Sequence, residues 1–277
     1  MPPPGAPQAP SLYGVTVDDV SNLGPIVASL AHFVHRPTTR VVFDVGASVG
    51  DYATAVPQLH GVSNLMALLL DSSDEQHISA ADEHTRVASY LAAFAGAIDV
   101  WEIGNEVNGN WLGPVSDVVA KFVDAYSQAA ALGKSTALTL YDNIGCGDGP
   151  SELGPLDFSA RYVPANVRNG LTYVLLSYYE GECNGVRPDA ASLATLFEQL
   201  HALYPNALLG FGEIGLPAPV TPATVATARS VIAYYYGLQL HVPGYVGGYF
   251  WWYFAEDAVP YATSPVWDAL NAGFSRY

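Results

Sequence analysis

Eight short runs rich in apolar and β-branched residues recur along the chain, separated by longer stretches with helical spacing of apolar positions. The short runs are LYGVTV near residue 12, RVVFDVG near 40, SNLMALLLD near 63 and IDVWEIG near 98. STALTLYD near 135, LTYVLLSYY near 171, ALLGFGE near 207 and YVGGYFWWYF near 245 complete the series. The intervening stretches PIVASLAHFV, ADEHTRVASYLAAFAG, SDVVAKFVDAYSQAAALG, ASLATLFEQLHALY, TPATVATARSVIAYYYGLQL and SPVWDALNAGF read as helices. Several open on Ser, Thr or Asp and stop before Gly or Pro, as helix caps require. Strand and helix in strict alternation imply βα units and a parallel sheet. Eight units of roughly 28 to 38 residues match a (β/α)8 barrel divided by eight. The expected fold is thus α/β, a single (β/α)8 TIM barrel over residues 11–277. MPPPGAPQAP, residues 1–10, reads as a Pro-rich tail or linker. Neither an internal repeat nor a shift in composition marks a further boundary.

Charge narrows the partners. Ten Lys and Arg against 26 Asp and Glu leave a net charge of −16, which repels phosphate backbones and anionic membranes. Neither a nucleic-acid nor a membrane partner is expected, no apolar run is long enough to cross a bilayer, and a monomer is anticipated. Charged residues at 13%, with 12% aromatics and 18 tyrosines, fit a secreted enzyme acting on neutral polar polymers. The N-terminal stretch is not a signal peptide, so a secreted or extracytoplasmic location presumes a leader outside this sequence. Cys146 and Cys183 fall in loops beyond successive strands, where they would form either a disulfide or two free thiols.

In a (β/α)8 barrel the chemistry sits at the C-terminal ends of the strands. Those ends carry Asp18 and Asp19, Asp44, Asp71, Asn105 and Glu106, then Tyr141 to Asn143. Tyr178, Tyr179 and Glu180, then Glu213, and finally Trp251 and Trp252 follow. Asp18, Asp19, Asp44 and Asp71 read individually as turn and cap residues. Glu106 and Glu213 differ, because each ends an otherwise apolar or Gly-rich strand, the fourth and the seventh. Two carboxyl groups facing each other across a barrel mouth are the equipment for breaking a glycosidic bond. Schiff-base chemistry needs a strand-end lysine, whereas Lys121 and Lys134 lie on or beyond the fourth helix. Strand-end histidines for a metal are also missing. Only His77 lies at the top, as a substrate ligand, as a metal ligand with Asp71 and Asp74, or as a solvated loop residue. With no phosphate-cradling glycine loop either, no cofactor or metal is expected.

On Asn105-Glu106 ending strand four, Glu213 in GFGEIG ending strand seven and the Trp-bearing run FWWYFAED, the chain resembles the clan A retaining glycoside hydrolases over essentially the whole barrel. The resemblance implies Glu106 as acid/base, Glu213 as nucleophile and Asn105 as ligand of the sugar 2-hydroxyl. It implies that one of Tyr178 and Tyr179, with Tyr179 preferred, bonds the nucleophile. Trp252, with Trp251 as the alternative, corresponds to the sugar platform. Many members also carry an arginine toward the end of strand two and a histidine near the strand-six tyrosine. Here those strands end FDVG and LSYYEGE, so a rewired network around the nucleophile is expected and the family is left open.

Glu102, four residues before Glu106 and in the same alternation phase, is expected to be a buried hydrogen-bonding group too deep for substrate. The Glu106 and Glu213 carboxyl groups are expected to lie about 5 to 5.5 Å apart, the spacing of a retaining reaction. Trp111, Tyr141, Trp251 and Trp252 are candidates to stack on sugar rings, and the segment from Asn143 to Asn169 is the candidate wall of the substrate site. The expected activity is hydrolysis of a β-linked glycan, with endo action favoured. A non-catalytic carbohydrate-binding barrel and a transglycosylase using the same residues are the alternatives.

Overall fold

The computed structural model describes residues 12–142, 146 and 153–276, so the expected tail at 1–10 lies outside the described residues. Its sheet has eight strands: β1 (Gly14–Val17), β2 (Thr38–Val42), β3 (Asn64–Leu68), β4 (Val100–Gly104), β5 (Ser135–Tyr141), β6 (Tyr173–Tyr178), β7 (Leu208–Ile214) and β8 (Tyr245–Gly248). Each pairs in parallel with the next, in sequence order. Trp251 closes the ring by bridging to both Val15 and Ile214, and its carbonyl accepts from the Thr16 amide at 2.9 Å. The architecture is a (β/α)8 barrel.

The last strand is much shorter than the apolar run YVGGYFWWYF suggests. Gly247, Gly248 and Tyr249 take φ values of 87°, 105° and 81°, which an extended strand cannot accommodate. At Gly248 a Cβ would sit 1.9 Å from the Phe211 carbonyl oxygen, so only glycine allows this approach. The chain leaves the sheet there and returns only at Trp251.

Helices fill the expected intervals at Leu23–Ala31, Ala80–Phe94, Val115–Ala131, Ala190–Leu203, Val225–Tyr235 and Trp267–Phe274. Ser79 and Asp189 cap two of them, accepting from the amides of Asp82 and Ser192. Shorter helices also occur at Val49–Tyr52 and Ala55–Val62, too brief to give a periodic signal. Of the candidate wall from Asn143 to Asn169, the described residue Cys146 lines the cleft, whereas its two described helices pack on the barrel. Pro155–Tyr162 and Ala165–Gly170 are helices whose Phe158 and Val167 are buried in the core, because their apolar side chains seek the barrel rather than the solvent.

Inside the barrel the side chains form layers. The floor is apolar: Leu12, Met66, Val100, Ala137, Tyr173, Leu175 and Phe250. Two residues further along three of these strands, on the same face, Val100 gives way to Glu102, Ala137 to Thr139 and Leu175 to Ser177. All three polar residues are fully buried, and the site stands on them.

Candidate active site

Strand β4 is interrupted between Glu102 and Gly104, where its register against β5 shifts. Bulges of this kind bend a strand and re-aim the side chains that follow. Glu106 then adopts a left-handed backbone with φ of 49°, uncommon for any residue but glycine. The turn is held by the Gly109 amide donating to the Glu106 carbonyl at 2.8 Å and by the Val107 amide donating to the Thr139 carbonyl at 3.3 Å. Glu106 is thereby turned over the barrel mouth, 7% exposed.

Its two carboxyl oxygens meet different hydroxyls. Ser72, at the start of the 3-10 turn Ser72–His77 after β3, donates to Oε2 at 2.7 Å, and Ser177 on β6 donates to Oε1. No cation touches Glu106 among the described contacts. Burial, reinforced by the charge of Glu213 and opposed by the two serines, pushes its carboxyl up to about 8.

Glu213, at 6% exposure, is surrounded differently. Arg40 Nη1 donates to its Oε2 at 2.8 Å, Tyr179 donates its hydroxyl to Oε1 at 2.6 Å, and Asn105 Nδ2 lies 3.5 Å from Oε2. Burial raises this carboxyl as well, but the Arg40 charge and the two donors oppose the rise. With a guanidinium beside Glu213 and only hydroxyls beside Glu106, the pair holds its negative charge on Glu213 and its proton on Glu106. The Tyr179 phenol is pushed well up by burial and by Glu213, so it stays protonated and donates.

Beneath them, Glu102 accepts from Arg40 Nε at 2.6 Å, from Arg40 Nη2 at 2.8 Å and from Thr139 Oγ1 at 2.6 Å. Such paired, fully hydrogen-bonded burial is what a carboxylate with no water access requires. The absence of an arginine from strand two is corrected. Arg40 begins the run RVVFDVG, and its long side chain carries the guanidinium from the middle of β2 up to Glu213, so a residue well before the strand end FDVG fills this place.

A cleft of about 640 Å³ opens over both carboxyl groups. It is lined by Asp71, Ser72, Ser73, Glu106, Trp111, Tyr141, Cys146, Tyr179, Glu182, Glu213, Leu216, Pro217, Trp252 and Tyr253. Trp111 and Tyr141 pack edge to face, 5.2 Å between centroids, beyond β4 and β5. Trp252 lies on the opposite side of the ring beyond β8, with the Arg40 guanidinium 5.4 Å from its ring centre. Cys146 and Cys183 are disulfide-bonded with Cα atoms 4.8 Å apart, tying the loop after β5 to that after β6.

Three expected site residues lie elsewhere. Trp251 is fully buried and donates Nε1 to Asp257 at 2.8 Å, because closing the barrel consumes it. Tyr178 faces away from the mouth, donating to the Val186 carbonyl at 2.7 Å and packing near Tyr235, since alternation sends neighbouring residues to opposite faces. His77 has a 61% exposed side chain beside Asp74 and does not line the cleft. Among the described residues no group of three or more His, Cys, Asp and Glu side chains converges as a metal site. Asn105 sits just below the cleft, accepting from the Ser72 amide at 3.0 Å. Asp71 caps the 3-10 turn through Ser73, Asp44 accepts from Tyr52 and Asp19 from Ser21, while Asp71 also reaches the cleft wall.

Among residues not singled out from the sequence, Arg40, Ser72, Ser177 and Asn108 set the hydrogen bonding of the site, and Glu182 and Tyr253 line its cleft. Asn108 clamps Tyr141, accepting from its amide at 2.7 Å and donating to its carbonyl at 2.8 Å. Arg40 had a signal, a charged residue inside an apolar strand. The serines had none, because hydroxyls are frequent at loop starts and in strands.

No protein-family model and no curated protein matches the chain by sequence. Its fold is similar to solved glycoside hydrolases of clan A. A GH10 xylanase from Bispora sp. MEY-1 with xylobiose has a TM-score of 0.60 at 13% identity, covering 95% of this chain and 96% of that one. A GH5_18 variant from Streptomyces cattleya in complex with Manβ1-4GlcNAc gives 0.62 at 16%, covering 93% and 76%. A plant β-glucan endohydrolase gives 0.52 at 15%, covering 86% and 90%. At these identities the likeness is one of fold.

Proposed function

We propose that this protein is a retaining glycoside hydrolase acting on a β-linked glycan, with Glu106 as acid/base and Glu213 as nucleophile. The observation that carries the reading is the opposite surroundings of two carboxyl groups on one cleft: Arg40 and Tyr179 on Glu213, Ser72 and Ser177 on Glu106. In the first step a Glu213 oxygen bonds to the anomeric carbon as the glycosidic C–O bond breaks, and the Glu106 proton passes to the departing oxygen. Once Glu213 is esterified its charge is gone, and one cause of the raised Glu106 pKa goes with it. Glu106, now a carboxylate, takes a proton from water as that water bonds to the anomeric carbon and frees Glu213. Asn105 is the candidate ligand of the sugar 2-hydroxyl. Aromatic surfaces on opposite sides of the mouth, Trp111 with Tyr141 and Trp252 with Tyr253, support binding of sugars on both sides of the broken bond, hence endo action. The Cys146–Cys183 disulfide and the acidic, charge-poor composition support an extracytoplasmic location.

The test is hydrolysis of a panel of β-glycans by the wild type, Glu106→Ala and Glu213→Ala, with azide added to the variants. Loss of activity in both, with a β-glycosyl azide from Glu106→Ala and an α-glycosyl azide from Glu213→Ala, is the expected result. Sugar binding without turnover in the wild type would replace the reading with a carbohydrate-binding barrel. Transfer products dominating at high acceptor concentration would replace it with a transglycosylase.

A further inference from the structure

Among the described residues, the walls of the cleft carry carboxyl groups at four places, Asp71, Glu106 and Glu182 beyond strands β3, β4 and β6, and Glu213 at the end of β7. No lysine, arginine or histidine lines it. Residues 1–11, 143–145, 147–152 and 277, outside the described ones, contain none of the ten Lys and Arg or seven His residues. The one cation nearby, Arg40, is wholly buried beneath the nucleophile, with its guanidinium already shared between Glu102 and Glu213. A sugar carboxylate in the cleft would therefore meet negative charge on several sides and find no free guanidinium or ammonium to pair with.

Two of these carboxyl groups are not required by the proposed reaction. Asp71 is anchored by the Ser73 amide and hydroxyl, at 2.9 and 2.5 Å, so its position is fixed by the 3-10 turn. Glu182 precedes the disulfide-bonded Cys183, and its Oε2 lies 3.5 Å from the Tyr141 hydroxyl. Both face the same cleft as Glu213 from different loops.

Resting on the glycosidase reading for the place where substrate lies, we infer that the cleft selects glycans whose rings flanking the scissile bond are uncharged, and that Asp71 and Glu182 enforce this by repelling uronate rings. The fold alone leaves ring charge open, since it is decided by loop residues at the mouth. Each carboxylate near a sugar carboxylate is expected to cost on the order of tenfold in affinity at low salt, less as ions screen it.

The experiment measures binding and turnover separately. Cello-, manno- and laminari-hexaose and their C6-oxidised, uronate-bearing counterparts are titrated into the wild-type protein by calorimetry at low and high salt, and the same six compounds are assayed for cleavage. At least one neutral hexaose should bind at least tenfold more tightly than its oxidised counterpart, the gap narrowing with salt. Asp71→Asn and Glu182→Gln should each narrow it further at low salt, and the two together more than either. An oxidised hexaose binding as tightly as its neutral form, a gap untouched by both substitutions, or no binding of any neutral hexaose would overturn the inference. Discrimination in binding without cleavage of any compound would leave it standing while removing the glycosidase reading.

Discussion

The floor of the barrel and the layer above it are made by many of the same strands, one side-chain repeat apart. At the floor, Val100, Ala137, Leu175 and Phe250 pack together in one apolar cluster. One layer up, Glu102, Thr139 and Ser177 are just as buried, yet each is engaged by a polar partner: Arg40, Glu102 and Glu106 respectively. The floor is stabilised by removing apolar surface from water, which tolerates approximate fit. The upper layer must satisfy every donor and acceptor, so its geometry is set by hydrogen bonds and its failure is local and chemical. Stability resides mainly in the first, proton placement in the second.

The sharpest way to break this contrast is one substitution in each layer. Glu213→Ala should lower kcat by roughly 10⁴-fold or more while the protein stays folded. Phe250→Ala should instead destabilise by about 3–5 kcal/mol, with kcat of the folded fraction within about twofold of wild type. Urea melts and kcat on the cleaved glycan measure both, and a floor substitution that removed activity without destabilising would collapse the distinction.

Glu102→Gln tests whether the polar layer joins the two properties. It should destabilise by about 3 kcal/mol, because Arg40 is left with one carboxylate partner instead of two. The less neutralised guanidinium should hold Glu213 ionised to lower pH, so the acidic limb of the kcat/KM profile moves down.

Ser177→Ala acts on the other carboxyl group. The serine donates to the ionised form of Glu106, so its loss should raise the basic limb by about one pH unit, seen in the kcat/KM profile. Ser72→Ala should move it in the same direction.

A further effect concerns stability against pH. The Glu106 carboxyl is raised from an ordinary 4.5 to about 8, so the folded state binds its proton more tightly than the unfolded chain. Its contribution is fully present below about 4.5 and is lost as pH rises through about 8. Glu106→Gln removes this loss, and its Tm relative to wild type should rise between these limits by at least about 2–4 °C. A difference in Tm that does not change with pH would show that Glu106 is not held protonated by burial.

Much of the fold was legible because it rests on local patterns. The eight apolar runs fall on the eight strands, and the positions of Glu106 and Glu213 at the ends of the fourth and seventh place both at the mouth. Where local reading failed, the cause was a contact made elsewhere in the barrel. YVGGYFWWYF looks like one long strand, yet the approach of Gly248 to Phe211 breaks it and leaves Trp251 in the wall, Trp252 in the cleft. Tyr178 and Tyr179 are alike as letters, and only the placement of β6 beside β7 turns the second toward Glu213.

The order of strands, the acidic and cation-poor composition, and the two glutamates at strand ends were determined by the sequence itself, since alternation and hydrophobicity act over a few residues. Tertiary structure decided the partners of those glutamates. Arg40 meets Glu102 and Glu213 across 62 and 173 residues of chain, and Ser72 and Ser177 reach Glu106 from two other strands or their loops. Such meetings depend on how the sheet closes on itself, a global geometric condition that no short window of residues contains.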